Sequence, residues 1–151
     1  MEQIIQLNAN AKLSEHFTLG EMTRSNSHPE IYNIPSHEAI ANLKRVCTWL
    51  EELRKRYNQP IIINSGYRSP QLNRAIGGVA TSNHLTGCAV DIRVSGMEQL
   101  IVYAAILLDI SRDWQQEFDE LLIEKNRHGA IWLHFAVRQK DNRKKILFIN
   151  A

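Results

Sequence analysis

SNHLTGCAVD, residues 82–91, sets a histidine and an aspartate seven positions apart, separated by a glycine and a short apolar run. Gly87 predicts a turn, and Cys88 to Val94 alternates as a strand does, so a loop folds back onto a strand that carries Asp91. Two readings of the pair stand side by side. Either His84 and Asp91 meet at one point as metal ligands, or His84 caps the turn while Asp91 pairs with an arginine.

Working outward, Ile61-Ile62-Ile63 follows the Asn58-Gln59-Pro60 break and predicts a short buried strand ending at the Ser65-Gly66 turn. Ser69 before Pro70 predicts the capped start of a short helix over SPQLNRAI, and GGVATSN reads as loop. Farther upstream, Ile40, Leu43, Val46, Cys47, Leu50 and Leu53 recur every three or four residues behind a capping Ser36, the pattern of a long amphipathic helix. Downstream, Met97 to Ile110 predicts a second long helix. Residues 121–125 and 130–137 then predict two strands joined by a glycine-containing turn, and residues 146–149 an edge strand. The sum is an α+β fold with helices packed on one face of a small, mainly antiparallel sheet. Residues 1–35, with Phe17, Leu19 and Met22 docking on the body, are expected to form a surface-wrapping arm of a single domain spanning 1–151.

A chain of 151 residues with 44% hydrophobic and 23% charged residues has the composition of one globular domain. Its formal charge of +2 is spread out apart from Arg54-Lys55-Arg56 and Arg143-Lys144-Lys145, which read as solvated helix and strand ends; no nucleic-acid partner is expected. LIVYAAILL, residues 100–108, is too short to span a bilayer. The opening MEQIIQLNANAKLSEHF lacks a basic n-region, an apolar h-region and a cleavage site, so cytoplasmic synthesis without a signal peptide is the expectation. Cys47 and Cys88 are expected as buried, reduced thiols, and the chain as a monomer.

A metal site needs a third ligand, and the other histidines are His16, His28, His37, His128 and His134. His134 stands apart because it lies inside the apolar strand AIWLHFAV, where an unpaired imidazole is costly to bury. It is either a hydrogen-bonded core histidine or the ligand that completes a three-residue zinc set.

SGYRSPQLNRAIGGVATSNHLTGCAVD, followed by WLHF, resembles the zinc D-Ala-D-Ala carboxypeptidases and L-alanyl-D-glutamate endopeptidases of bacterial and phage cell-wall metabolism, whose fold is shared with the Hedgehog signalling domain. LSEHFTLGEMTRS is similar to the lead-in of the compact single-domain branch. The resemblance implies Zn2+ held by His84, Asp91 and His134, a peptidoglycan stem peptide as substrate, and Arg68 as a contact to substrate carbonyl or carboxylate oxygen. Ser82 is then either a hydrogen-bonding residue near the metal or a loop cap, and Tyr67 either lines the cleft or belongs to the core.

One position departs from the pattern. Better-known relatives carry an acidic residue three positions before the second zinc histidine, and here that position is Ile131. Glu124 is the candidate general base. If Asn126 pairs with Ala130, Glu124 falls opposite Trp132 and shares a face with His134; if Lys125 pairs with Ala130, it points away. Asp119 and Glu120 are remoter candidates, and His128 in the turn is expected to be exposed. A non-catalytic zinc module that binds wall peptide or a partner, and a structural domain of a phage particle, are the rival readings. An enzyme of this kind made without a signal peptide would reach the wall after lysis or by a separate export route.

Overall fold

A computed structural model describes residues 8–150; the first seven residues of the expected arm, and Ala151, lie outside the described residues. The arm enters through a short helix, α1 (Leu19–Thr23), closed by a capping box in which Thr18 and Glu21 bond each other's backbone. Phe17 and Met22 are buried in the core. The Met22 carbonyl accepts from the Tyr67 amide at 2.7 Å. A Cβ on Gly66 would stand 2.5 Å from that oxygen, so the turn after the first strand admits no side chain there.

Ser36 caps α2 (His37–Tyr57) by accepting from the Ala39 amide, one of the donors a first turn leaves without an intrahelical partner. Leu43, Val46, Cys47, Leu50 and Leu53 are buried as their spacing predicts, with Trp49 beside them; Ile40, at the margin of the stripe, is half-buried. The second long helix, α4 (Met97–Trp114), runs one turn past the expected Ile110. Trp114 meets Trp49 edge-on with ring centroids 5.2 Å apart, a tertiary contact that extends the helix beyond its apolar period.

Five strands make one sheet in the order β1 (Ile63–Ser65), β2 (Ala89–Arg93), β4 (Ile131–Ala136), β3 (Glu120–Lys125), β5 (Lys145–Asn150). Every neighbouring pair is antiparallel except β3 with β5. The first strand is shifted relative to the expectation for Ile61–Ile63. Only Ile63 of that run belongs to it, and the register shifts between Ile63 and Ser65; Ile62 turns to solvent, although its carbonyl still accepts from the Arg93 amide.

Alternation along the strands divides the sheet into two faces. Val90, Ile92, Leu121, Leu133 and Phe135 join the core formed with α2 and α4. On the other face Asp91, His134 and Leu122 form one row, and Arg93, Trp132 and Glu124 the next. The chemistry of the chain therefore lies on the side of the sheet away from the long helices. Among the described residues, no helix is long and apolar enough to cross a membrane.

Candidate metal centre

His84 is carried by a 3₁₀ turn, Asn83–Thr86, whose first amide bond is supplied by Ser82: its hydroxyl accepts from the His84 amide at 3.1 Å. The turn ends at Gly87 with φ 77°, a conformation that costs glycine little. A Cβ on Gly87 would lie 2.5 Å from the Ala39 carbonyl. The loop is thus pressed against the first turn of α2, and His84 is aimed at β2.

There the His84 Nε2 lies 3.2 Å, and the His134 Nδ1 3.1 Å, from the same Asp91 oxygen, Oδ1. One ligand atom from each of the three residues lies within 4.8 Å of the other two. The far side of each ring is tied down. His84 Nδ1 stands 2.6 Å from the Gly66 carbonyl and His134 Nε2 stands 2.9 Å from a Glu120 oxygen. Both partners accept, so His84 Nδ1 and His134 Nε2 carry the protons and Nε2 and Nδ1 are the atoms turned inward.

Charge gives this arrangement its meaning. Burial pushes the His84 imidazole below its ordinary range despite Asp91, so its inward lone pair faces a carboxylate oxygen. Two acceptors this close are stabilised by a cation between them. Asp91 stays ionised far below the usual carboxylate range because the two imidazoles outweigh its burial. At His134 burial also opposes the charge, but bonds to Asp91 and Glu120 hold the ring up to about 10. Without a metal, a proton on His134 neutralises the cluster; two imidazole nitrogens and one carboxylate are a donor set suited to zinc, whose binding displaces that proton.

Glu124 stands opposite Trp132, in the register set when the Asn126 amide bonds the Ala130 carbonyl. Its carboxyl is half-buried; burial first, then the Asp91 charge, raises it above the ordinary carboxylate range, with His134, the Trp132 indole and Arg68 opposing. Ile131 lies on the opposite face and packs against the core, so an acid there would point away from His134. Arg68 is brought in by the bond from its amide to the His84 carbonyl at 3.0 Å. Burial pushes its guanidinium down, against Asp91 and Glu124, and among the described residues its Nε has no hydrogen-bond partner.

A groove of about 230 Å³ opens beside Asp91. Its walls are Arg24, Ser25, Asn26 and Ser27 after α1, Asn64 and Ser65 of β1, Arg68, and Leu72 and Ile76 of and after α3 (Pro70–Ala75). Ser82 and Tyr67 are not among these walls. Ser82 is the loop cap and borders a separate groove with Arg138 and Lys140, while Tyr67 is half-buried against the core. His128 is exposed in the turn, and His16 pairs with Glu51 far along the chain.

The remoter acids have other partners. Asp119 is fully buried and bonds Arg143 through two side-chain nitrogens and the backbone amide, with Asn83 and Arg138 completing its shell. Arg143 stays exposed, as a strand end does, while its guanidinium reaches in to this buried carboxylate. Glu120 bonds His134 on the side away from Asp91. Neither Asn83 nor this role of Glu120 was visible in the sequence, because no periodicity marks a side chain that bridges a loop to a strand 37 positions away.

A family model described as Peptidase M15 matches residues 15–123. The zinc D-Ala-D-Ala carboxypeptidase of Streptomyces albus G is 31% identical over 91 residues, 60% of this chain and 36% of that protein. The chain thus corresponds to little more than a third of that relative. The family match contains His84 and Asp91 and stops one residue before Glu124; Glu124 and His134 are joined to it by the β3–β4 pairing.

Proposed function

The chain belongs to the peptidase M15 family, and from that premise we propose that it is a zinc metallopeptidase hydrolysing an amide bond in peptidoglycan stem peptides. The observation that carries the reading is the convergence of His84 Nε2 and His134 Nδ1 on one Asp91 oxygen, with the half-buried Glu124 on the same sheet face. Zinc bound by these three residues supplies Lewis acidity, polarising an amide carbonyl and making water nucleophilic near neutral pH.

The protein's own groups supply the rest. Glu124, raised by burial and by Asp91, accepts the proton of the attacking water and delivers it to the departing amine; a pKa nearer the working pH suits both transfers. Arg68 offers its unpartnered Nε to substrate oxygen, where a guanidinium fork stabilises developing or permanent negative charge. The groove is smaller than the ~300–1,000 Å³ of most ligand pockets. Its charged walls are Arg24, Arg68 and Asp91. Small size and two arginines favour a leaving residue with a small side chain and a free carboxylate, as at a D-Ala-D-Ala terminus, and the peptide is taken by a monomer.

The test pairs metal content with chemistry. Purified protein is assayed for bound zinc and then incubated with muropeptides whose fragments are identified by mass. Stoichiometric zinc and release of a terminal residue or a stem fragment are expected. Zinc without cleavage across pH 5–9 would replace the enzyme by a binding module, and absence of zinc would remove the metal reading altogether.

A further inference from the structure

Asn83 precedes His84, yet its side chain turns away from the cluster and spends its amide nitrogen on two carboxylates. Nδ2 lies 2.6 Å from Glu120 Oε1 and 2.8 Å from Asp119 Oδ2. The same Glu120 oxygen is 2.9 Å from His134 Nε2. Asn83 Oδ1 in turn accepts from Arg138 at 3.0 Å, and Arg143 lies 3.5 Å from the other Glu120 oxygen. His134 and Asn83 are both buried, so these bonds are shielded from competing water.

The chain of contacts joins the three segments that deliver the cluster. The 3₁₀ turn brings His84 and Asn83, β3 brings Glu120, and β4 brings His134. We propose that Glu120 and Asn83 are positioning residues that build the zinc site before the metal arrives: Glu120 fixes the His134 tautomer with Nε2 protonated and Nδ1 inward, and Asn83 ties the His84 loop to that same carboxylate. The proposal rests on the metal reading above. Its physical basis is that a ring able to flip or change tautomer must be ordered when the metal binds, whereas a ring held by an outer carboxylate is already ordered; loss of such partners typically weakens metal binding about 10–100-fold.

The two adjacent carboxylates would repel each other without their surroundings. Asp119 is taken by Arg143 and Arg138, and the Asn83 amide sits between Asp119 and Glu120, donating one N–H to each. Glu120 thereby keeps an oxygen turned to His134, where it accepts from Nε2. The Arg143–Asp119 pair is the anchor, and Glu120 is the arm that reaches the ligand.

Zinc affinity is measured by competition with a chromophoric chelator for the wild type, Glu120→Ala, Glu120→Gln, Asn83→Leu and, as a control for lost surface charge, Glu117→Ala. The exchangeable His134 Nε2–H proton is followed by NMR in the zinc-loaded proteins. Glu120→Ala is expected to bind zinc about 10–100-fold more weakly and to lose the proton signal, while Glu120→Gln, which keeps an accepting oxygen, stays near the wild type. Asn83→Leu, which leaves Glu120 in place, is expected to bind more weakly by about threefold or more, and serves if Glu120→Ala fails to fold. Glu120→Ala or Asn83→Leu with wild-type affinity, or the His134 signal persisting in Glu120→Ala, overturns the proposal. A wild type that takes up no zinc overturns the metal reading itself, a result distinct from either.

Discussion

Glu124 and Trp132 are paired residues on β3 and β4, and that single register relation puts a carboxyl on the face where His134 and Asp91 meet. A one-residue shift of β3 against β4 would have set Glu124 opposite Ile131, on the core side and away from His134. The acid missing at position 131 is thus met from the neighbouring strand, with Ile131 kept for packing.

Replacing Glu124 by Gln should lower kcat by about 10²–10⁴-fold, the usual contribution of a general base, while zinc content stays at the wild-type level. Adding Ile131→Glu to that variant should recover nothing, because side chain 131 faces the core. Turnover of muropeptides together with metal analysis of the same samples checks both expectations; restored turnover in the double variant would refute the facing argument.

Arg24 should matter for substrates with a free carboxylate on the leaving residue. Arg24→Ala is expected to lower kcat/KM for such a peptide by about tenfold, equal to about 1.4 kcal/mol, and to leave the carboxamide analogue nearly unchanged. The measurement is the ratio of the two specificity constants in wild type and variant. An equal loss on both substrates would assign Arg24 a general role in the groove wall.

Removing zinc with a chelator should lower the Tm. At free zinc about 100-fold above Kd the metal adds about 2.7 kcal/mol, which for a chain of this length corresponds to a shift of roughly 5–10 °C. His84→Ala should show the apo-like Tm with or without added zinc. Scanning calorimetry with and without metal decides it.

Acid stability should depend on Asp119. Burial alone would raise its pKa, but hydrogen bonds from Arg143 and Asn83, with the charge of Arg138, outweigh it and hold the carboxyl at about 2 against an ordinary 3.8. A carboxylate lowered on folding stabilises the protein above the unfolded pKa, and the contribution fades as pH falls from about 4 through about 2. A shift of nearly two units corresponds to about 2 kcal/mol at neutral pH. Arg143→Ala should forfeit much of this, costing about 1–3 kcal/mol at pH 7, and its deficit relative to wild type should shrink as pH approaches 2. Urea denaturation of both proteins at a series of pH values tests the sign as well as the size.

The spacing of residues 82–91, the β-branched and alternating runs and the three-to-four-residue stripe of α2 were enough to reach an α+β fold and to raise His84, Asp91 and His134 as candidates, which the family resemblance joined into one ligand set. These are local signals. Strand alternation and helical period follow from the sterics of one segment, and a histidine inside an apolar strand stands out wherever that strand finally pairs. The direction of Glu124 was legible only as a choice between two registers, since the turn at Asn126–Ala130 had to be formed before its side could be known.

What tertiary structure alone decided was which distant groups share an environment. Ser82 became a loop cap, Arg143, itself still exposed, reached the buried Asp119, and Asn83 and Glu120 met across 37 positions to brace the two histidine-bearing segments. Arg24, in a segment read from sequence only as part of a surface arm, became a wall of the groove beside Asp91. None of these relations has a period or a fixed spacing, because each depends on how α1, the 3₁₀ turn and β3 pack on elements formed elsewhere in the chain. The sequence by itself determined the candidate ligand types and the turn and strands that carry them; packing determined the tautomers, the charges and the groove beside them, because those depend on distant groups brought together.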